Sequence, residues 1–146
     1  MTNNDEILII PPDKIKLTHI FDSVDVHSDY LINILKQVCS IISRSVDINE
    51  NGFGPVHEQF TSSGEAGEVT EDGDINLDSE KLKMYDDEIV MALTAHELAH
   101  YHLGHYHDNS GDLELKKEYE ADDLAKKWGF NIDKFREVCG APFIKV

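Results

Sequence analysis

Four stretches of the chain repeat apolar residues at helical spacing. Tyr30, Leu31, Ile34, Leu35, Val38, Ile41 and Ile42 recur every three to four positions, which predicts an amphipathic helix over 28–44 with Ser28 or Asp29 capping its first turn. Ile89, Val90, Leu93 and Leu98 predict a second helix that starts at Asp86 or Asp87, runs through His102 and stops at Gly104. Leu113, Leu115, Tyr119, Leu124, Ala125 and Trp128 predict a third, with Gly129 as its C-terminal signal and Trp128 in the core. A short last helix over about 132–138 ends at Gly140, ahead of Pro142.

The other apolar residues fall in short runs. Residues 7–10 and 15–21 are β-prone and are separated by Pro11-Pro12, which cannot continue a strand ladder, so residues 1–27 read as an N-terminal arm or as edge strands. Residues 49–67 are rich in Gly, Ser and polar side chains, which predicts loops with one short strand around 56–60. Val69, the Asp72-Gly73 turn signal and Ile75-Asn76-Leu77 predict a small hairpin, or one strand feeding directly into the next helix. The expected fold is therefore α+β, a short β-sheet or hairpin packed on an N-terminal helix and two later helices, with residues 1–146 as one domain.

Composition narrows the function classes. A formal net charge of −16 repels phosphate backbones and anionic lipid, so neither nucleic acid nor membrane is an expected partner. No apolar run reaches the length of a bilayer span, and the polar, acidic start at residues 1–6 does not fit a secretory signal, which predicts a cytoplasmic protein. Cys39 and Cys139 lie far apart without metal-ribbon or redox spacing and read as reduced and buried. Acidic residues concentrate between Glu58 and Glu88, against only Lys81 and Lys83; this reads as a solvated surface, or as an attraction for a basic protein partner.

The chemistry sits on the second and third helices. In His96-Glu97-Leu98-Ala99-His100 the two imidazoles are four residues apart, hence on one face of a helix, where both can reach one ion. Glu97 is rotated about 100° from His96 and falls beside that face, suited to take a proton from an activated water as general base. Zinc with three protein ligands keeps a position for water, so a third ligand is needed. Glu118 is the expected one, with Glu120 as the alternative; Asp122, one turn after Glu118, is expected to hydrogen-bond the far nitrogen of His96. With 8 histidines in 146 residues the five-residue motif alone arises by chance with odds on the order of a few in a hundred. Its place on a helix, followed by a second helix with Glu and Asp four apart, makes coincidence several-fold rarer. His102, His105 and His107 are expected to face solvent, with the alternative that one of them contacts substrate or stabilises an oxyanion; Tyr119, Tyr106 and His57 are the other candidates for that role.

The pattern His96-Glu97-x-x-His100 followed by Glu118-x-x-x-Asp122 resembles the gluzincin signature, and Glu118-Tyr119-x-Ala121-Asp122 is similar to the form in heat-shock and prenyl-protein membrane metallopeptidases. The run over 96–105 resembles ImmA/IrrE-type peptidases, and the two-helix form over about 75–129 is similar to the compact minigluzincins. The resemblance implies a small zincin-like domain, a Zn2+ cofactor, and a soluble metallopeptidase acting on a peptide or protein substrate, in the ImmA/IrrE case a regulatory one. It also implies a substrate-pairing strand before the motif helix, a place that Ile75, Asn76 and Leu77 occupy, with an exposed edge to accept the peptide. Two other outcomes stay open. The chain could be a zinc-stabilised, non-catalytic protein that binds or inhibits a basic partner through its acidic surface, or a latent peptidase covered by its N-terminal arm.

Overall fold

The computed structural model describes residues 24–45, 55–105 and 114–142; the runs at 7–10 and 15–21, together with Tyr106, His107 and Leu113, lie outside them. The architecture is α+β, as the periodicities predict. In chain order the elements are β1 (Val24–Asp25), α1 (Asp29–Ile42), β2 (Val56–Glu58), β3 (Gly67–Val69), β4 (Ile75–Leu77), α2 (Ser79–Leu82), α3 (Asp87–His102), α4 (Glu114–Trp128) and α5 (Ile132–Cys139).

Local chemistry sets most of these bounds. Ser28 caps α1, its side chain accepting from the Leu31 N–H, and the stripe Leu31, Ile34, Leu35, Val38, Cys39 and Ile42 is buried. Asp78 caps the single turn of α2 by accepting from the Glu80 and Lys81 N–H groups, an element too short to betray itself by periodicity. Helix α3 is enclosed: every residue from 92 to 100 is buried, and it touches α1, α4, α5, β3 and β4. A helix buried all round is the centre of a domain, not a wall of it. Gly104 follows it with φ of +75°, where a left-handed residue ends the helix.

The four strands run in the order β1-β2-β4-β3, with β1, β2 and β4 parallel and β3 antiparallel to β4. The Asp72-Gly73 turn closes the β3–β4 hairpin, Gly73 adopting φ of +88°. This order corrects the expectation for Ile75, Asn76 and Leu77. Strand β4 is internal, paired with β2 on one side and β3 on the other, and all three residues are buried, so it offers no edge to a peptide. Among the described strands the unpaired flank beside the motif helix belongs to β3.

Part of the acidic stretch also departs from expectation. Glu58 accepts from the His27 N–H at 3.0 Å, the Ser28 N–H at 2.9 Å and the Ser28 hydroxyl at 2.7 Å, tying β2 to the start of α1. Glu68 accepts from the Asn76 amide and from Ser62 and Ser63, and so holds the 62–67 segment down on the sheet. With Asp78 capping α2, three of these carboxylates bind the fold together rather than coat it. No helix among the described residues is long and apolar enough to cross a membrane.

Candidate metal centre

Helix α3 presents His96 and His100 one turn apart, their rings 4.5 Å between centroids and 83° between planes. Their Nε2 atoms approach to 3.1 Å. Helix α4 packs alongside and sets Glu118 against both: Oε1 is 3.1 Å from His96 Nε2 and Oε2 is 3.0 Å from His100 Nε2. All three side chains are buried. Groups of this kind repel one another when their lone pairs converge, unless a cation stands among them. Two nitrogens and a carboxylate, each bound about 2.0–2.2 Å from a tetrahedral ion, lie about 3.3 Å apart, so the observed spacings fit such a donor set.

Glu97 belongs to the same cluster. Its carboxylate and the two imidazoles keep ligand atoms within 4.8 Å of one another, so these three could hold a metal by themselves, while Glu118 approaches both histidines to 3.0–3.1 Å. Glu120, the alternative ligand, points elsewhere: its Oε1 is 3.0 Å from His105 Nε2.

The far nitrogen of His96 donates to Asp122, with Nδ1 to Oδ1 at 2.8 Å, the placement expected from the spacing Glu118-x-x-x-Asp122. Asp122 is held in turn by Arg136 of α5, which donates from Nε to Oδ2 at 2.8 Å and from Nη2 to Oδ1 at 2.9 Å. This arginine went unforeseen. The signal available was its rarity: Arg44 and Arg136 are the chain's two arginines, and a planar guanidinium is the group that grips a carboxylate two-handed.

The electrostatics follow from this crowding. Burial opposes charge on His96, but its bonds to Asp122 and Glu118 and the nearby Glu97 outweigh that and raise its pKa to about 9. Burial likewise opposes ionisation of Glu118, yet the hydrogen bonds and charges of His100 and His96 hold its carboxyl far below the usual range. Asp122 is also lowered, against burial, by His96 and Arg136. Without an ion, a proton is the cation that binds this cluster together.

The remaining sequence candidates separate. His105 is not solvent-facing but abuts His100, Nδ1 to Nδ1 at 2.9 Å, and His102 is buried with its ring 5.7 Å from that of Trp128, packing α3 on α4. His57 belongs to the sheet, bonded to Asp74 at 3.2 Å, and Tyr119 is half exposed on α4. Cys39 is buried and its thiol is pushed up to about 12 by that burial, whereas Cys139 is only half buried.

A cleft of about 450 Å³ opens at the centre, lined by His96, Glu97 and Glu118, by the segment from Gly64 to Gly67, and by Met84, Tyr85, Leu93, Phe135, Arg136 and Cys139. Lys81 donates to the Gly64 carbonyl and steadies that rim. Compared with known proteins, the chain matches no family model, no curated protein and no solved structure.

Proposed function

We propose that this chain is a zinc-dependent peptidase in which His96, His100 and Glu118 hold the ion and Glu97 is the general base. The observation that carries the reading is the mutual approach, at 3.0–3.1 Å, of two imidazole nitrogens and a carboxylate from separate helices, beside a second carboxylate and at the wall of an open cleft. Imidazole and carboxylate donors suit zinc, and three of them leave a position that a purely structural site would close. The resemblance to the gluzincin pattern points the same way.

When bound, the ion would acidify a water and polarise the substrate carbonyl. The chain's own residues supply the rest. Glu97 accepts the water proton as the attack proceeds and returns it to the amine that leaves, so one carboxylate serves as base and then acid. Asp122, braced by Arg136, orients His96 and keeps its Nδ1 protonated, which leaves Nε2 as the ligating atom. Among the described strands β3 is an edge beside the cleft, where an extended peptide can add as a further strand, and Met84, Tyr85, Leu93 and Phe135 favour an apolar side chain beside the scissile bond.

The test is Glu97→Gln, assayed on a mixed peptide library with zinc content measured in the same samples. Zinc is expected to stay at the parent level while cleavage drops by about a hundredfold or more. Equal cleavage by parent and variant would reject Glu97 as the base. A zinc-loaded parent that cleaves nothing would leave a metal-stabilised binding protein in place of an enzyme.

A further inference from the structure

His100 turns Nε2 toward His96 and Glu118, so its Nδ1 faces the opposite way. There it meets His105 Nδ1 at 2.9 Å, and His105 Nε2 meets Glu120 Oε1 at 3.0 Å. The two rings are 5.1 Å apart at 63°. Gly104 makes this possible: with φ of +75° it turns the chain immediately after α3 and brings residue 105 back against residue 100.

With both imidazoles neutral, as ligation of an ion through His100 requires, counting hydrogens along the row assigns every one of them. A neutral imidazole has one N–H and one lone pair, and an ionised carboxylate only accepts. Glu120 therefore takes the hydrogen of His105 Nε2, which leaves His105 Nδ1 as a lone pair. That lone pair accepts from His100 Nδ1–H, and His100 Nε2 is left as the lone pair, aimed at the centre. The row yields the tautomer that a metal ligand requires.

We propose that His105 and Glu120 are positioning residues of the metal centre: Glu120 orients His105, and His105 holds His100 in the ligating tautomer and ring orientation. The proposal rests on the metal centre described above but not on peptide hydrolysis. Each ligating histidine then ends at a carboxylate, His96 directly at Asp122 and His100 through an interposed imidazole. Glu120 has a half-exposed side chain, with Lys116 Nζ 3.9 Å away, so its replacement leaves the core intact.

Zinc affinity of the full chain, by competition with a chromophoric chelator, tests the relay, together with the visible spectrum of the cobalt-loaded protein. His105→Phe, which keeps a ring but no acceptor, is expected to bind zinc 10–100-fold more weakly and to alter the cobalt spectrum. His105→Asn, whose amide oxygen can accept where Nδ1 did, regains most of the affinity. Glu120→Ala weakens binding about tenfold, and adds little to His105→Phe because the two act in series. Parent-like zinc affinity and an unchanged spectrum in His105→Phe, or fully additive losses for the two residues, would overturn the relay alone. A parent chain that takes up no zinc would overturn the metal centre itself, and is read without any variant.

Discussion

Gly67 and Glu97 touch across the cleft: a Cβ on residue 67 would stand 3.1 Å from the Glu97 Cγ, and 2.9 Å from Cδ2 of Leu93. The flank of strand β3 is thus pressed onto the carboxylate assigned as general base, and glycine is what lets the backbone come so near. Gly67→Ala forces that side chain to shift by a few tenths of an ångström. The expected outcome is a folded protein, destabilised by about 1–3 kcal/mol, with unchanged zinc content and turnover down by roughly tenfold or more. Parent-level turnover in this variant would show that the position of Glu97 does not matter to the reaction.

Arg136 grips Asp122 with two hydrogen bonds in a site where both side chains are mostly buried. Replacing it by Met keeps the stem and removes the guanidinium, leaving the buried Asp122 carboxylate with His96 as its remaining partner among the described residues and one oxygen unmatched. A loss of about 2–3 kcal/mol is expected in urea unfolding, and Arg136→Lys should recover only part of it, since an ammonium cannot match the two-pronged contact. An Arg136→Met protein as stable as its parent would mean that the clamp contributes nothing.

Zinc uptake should release protons. With its pKa raised to about 9 in the ion-free protein, His96 is protonated at neutral pH, and it must lose that proton from Nε2 to ligate. Calorimetry at pH 7 in buffers of different ionisation enthalpy should report about one proton released per zinc bound, and apparent affinity should fall about tenfold per pH unit below 9. Affinity constant between pH 6 and 8 would contradict this. Chelation should also lower the melting temperature, because only the folded chain assembles the donors.

Glu58 sets a stability term at acid pH. Burial disfavours its charge, but the Ser28 and Ser79 side chains and the Ser28 and His27 N–H groups lower its pKa from 4.5 to about 2. A carboxyl whose pKa is lower in the folded chain stabilises it fully above 4.5 and loses that contribution as the pH falls toward 2. The displacement is worth on the order of 3 kcal/mol. Glu58→Gln should therefore trail its parent at pH 6 by a margin that narrows steadily below pH 4.5. A margin constant from pH 6 to 2.5 would exclude this role.

The helices and the motif were legible because their signals are local. Residues three and four apart decide which face of α1 is apolar and that His96 and His100 share a side, and caps such as Ser28 and Gly104 act within a turn. The spacing of Glu118 and Asp122 likewise put both on one face, and the packing of α4 on α3 brings that face to the histidines. His105, expected to face solvent, turns back on His100 instead, because it lies beyond the helix end, where periodicity says nothing about direction.

From its sequence alone this chain is an α+β domain whose motif helix aligns two imidazoles and a carboxylate, since the α-helix repeats every 3.6 residues whatever surrounds it. Tertiary structure alone decided that β4 is central and β3 the flank, that Arg136 braces Asp122, and that His105 and Glu120 stand behind His100. Three-residue strands carry too little alternation to specify their neighbours, and contacts between residues 14 to 26 apart form only when whole elements pack.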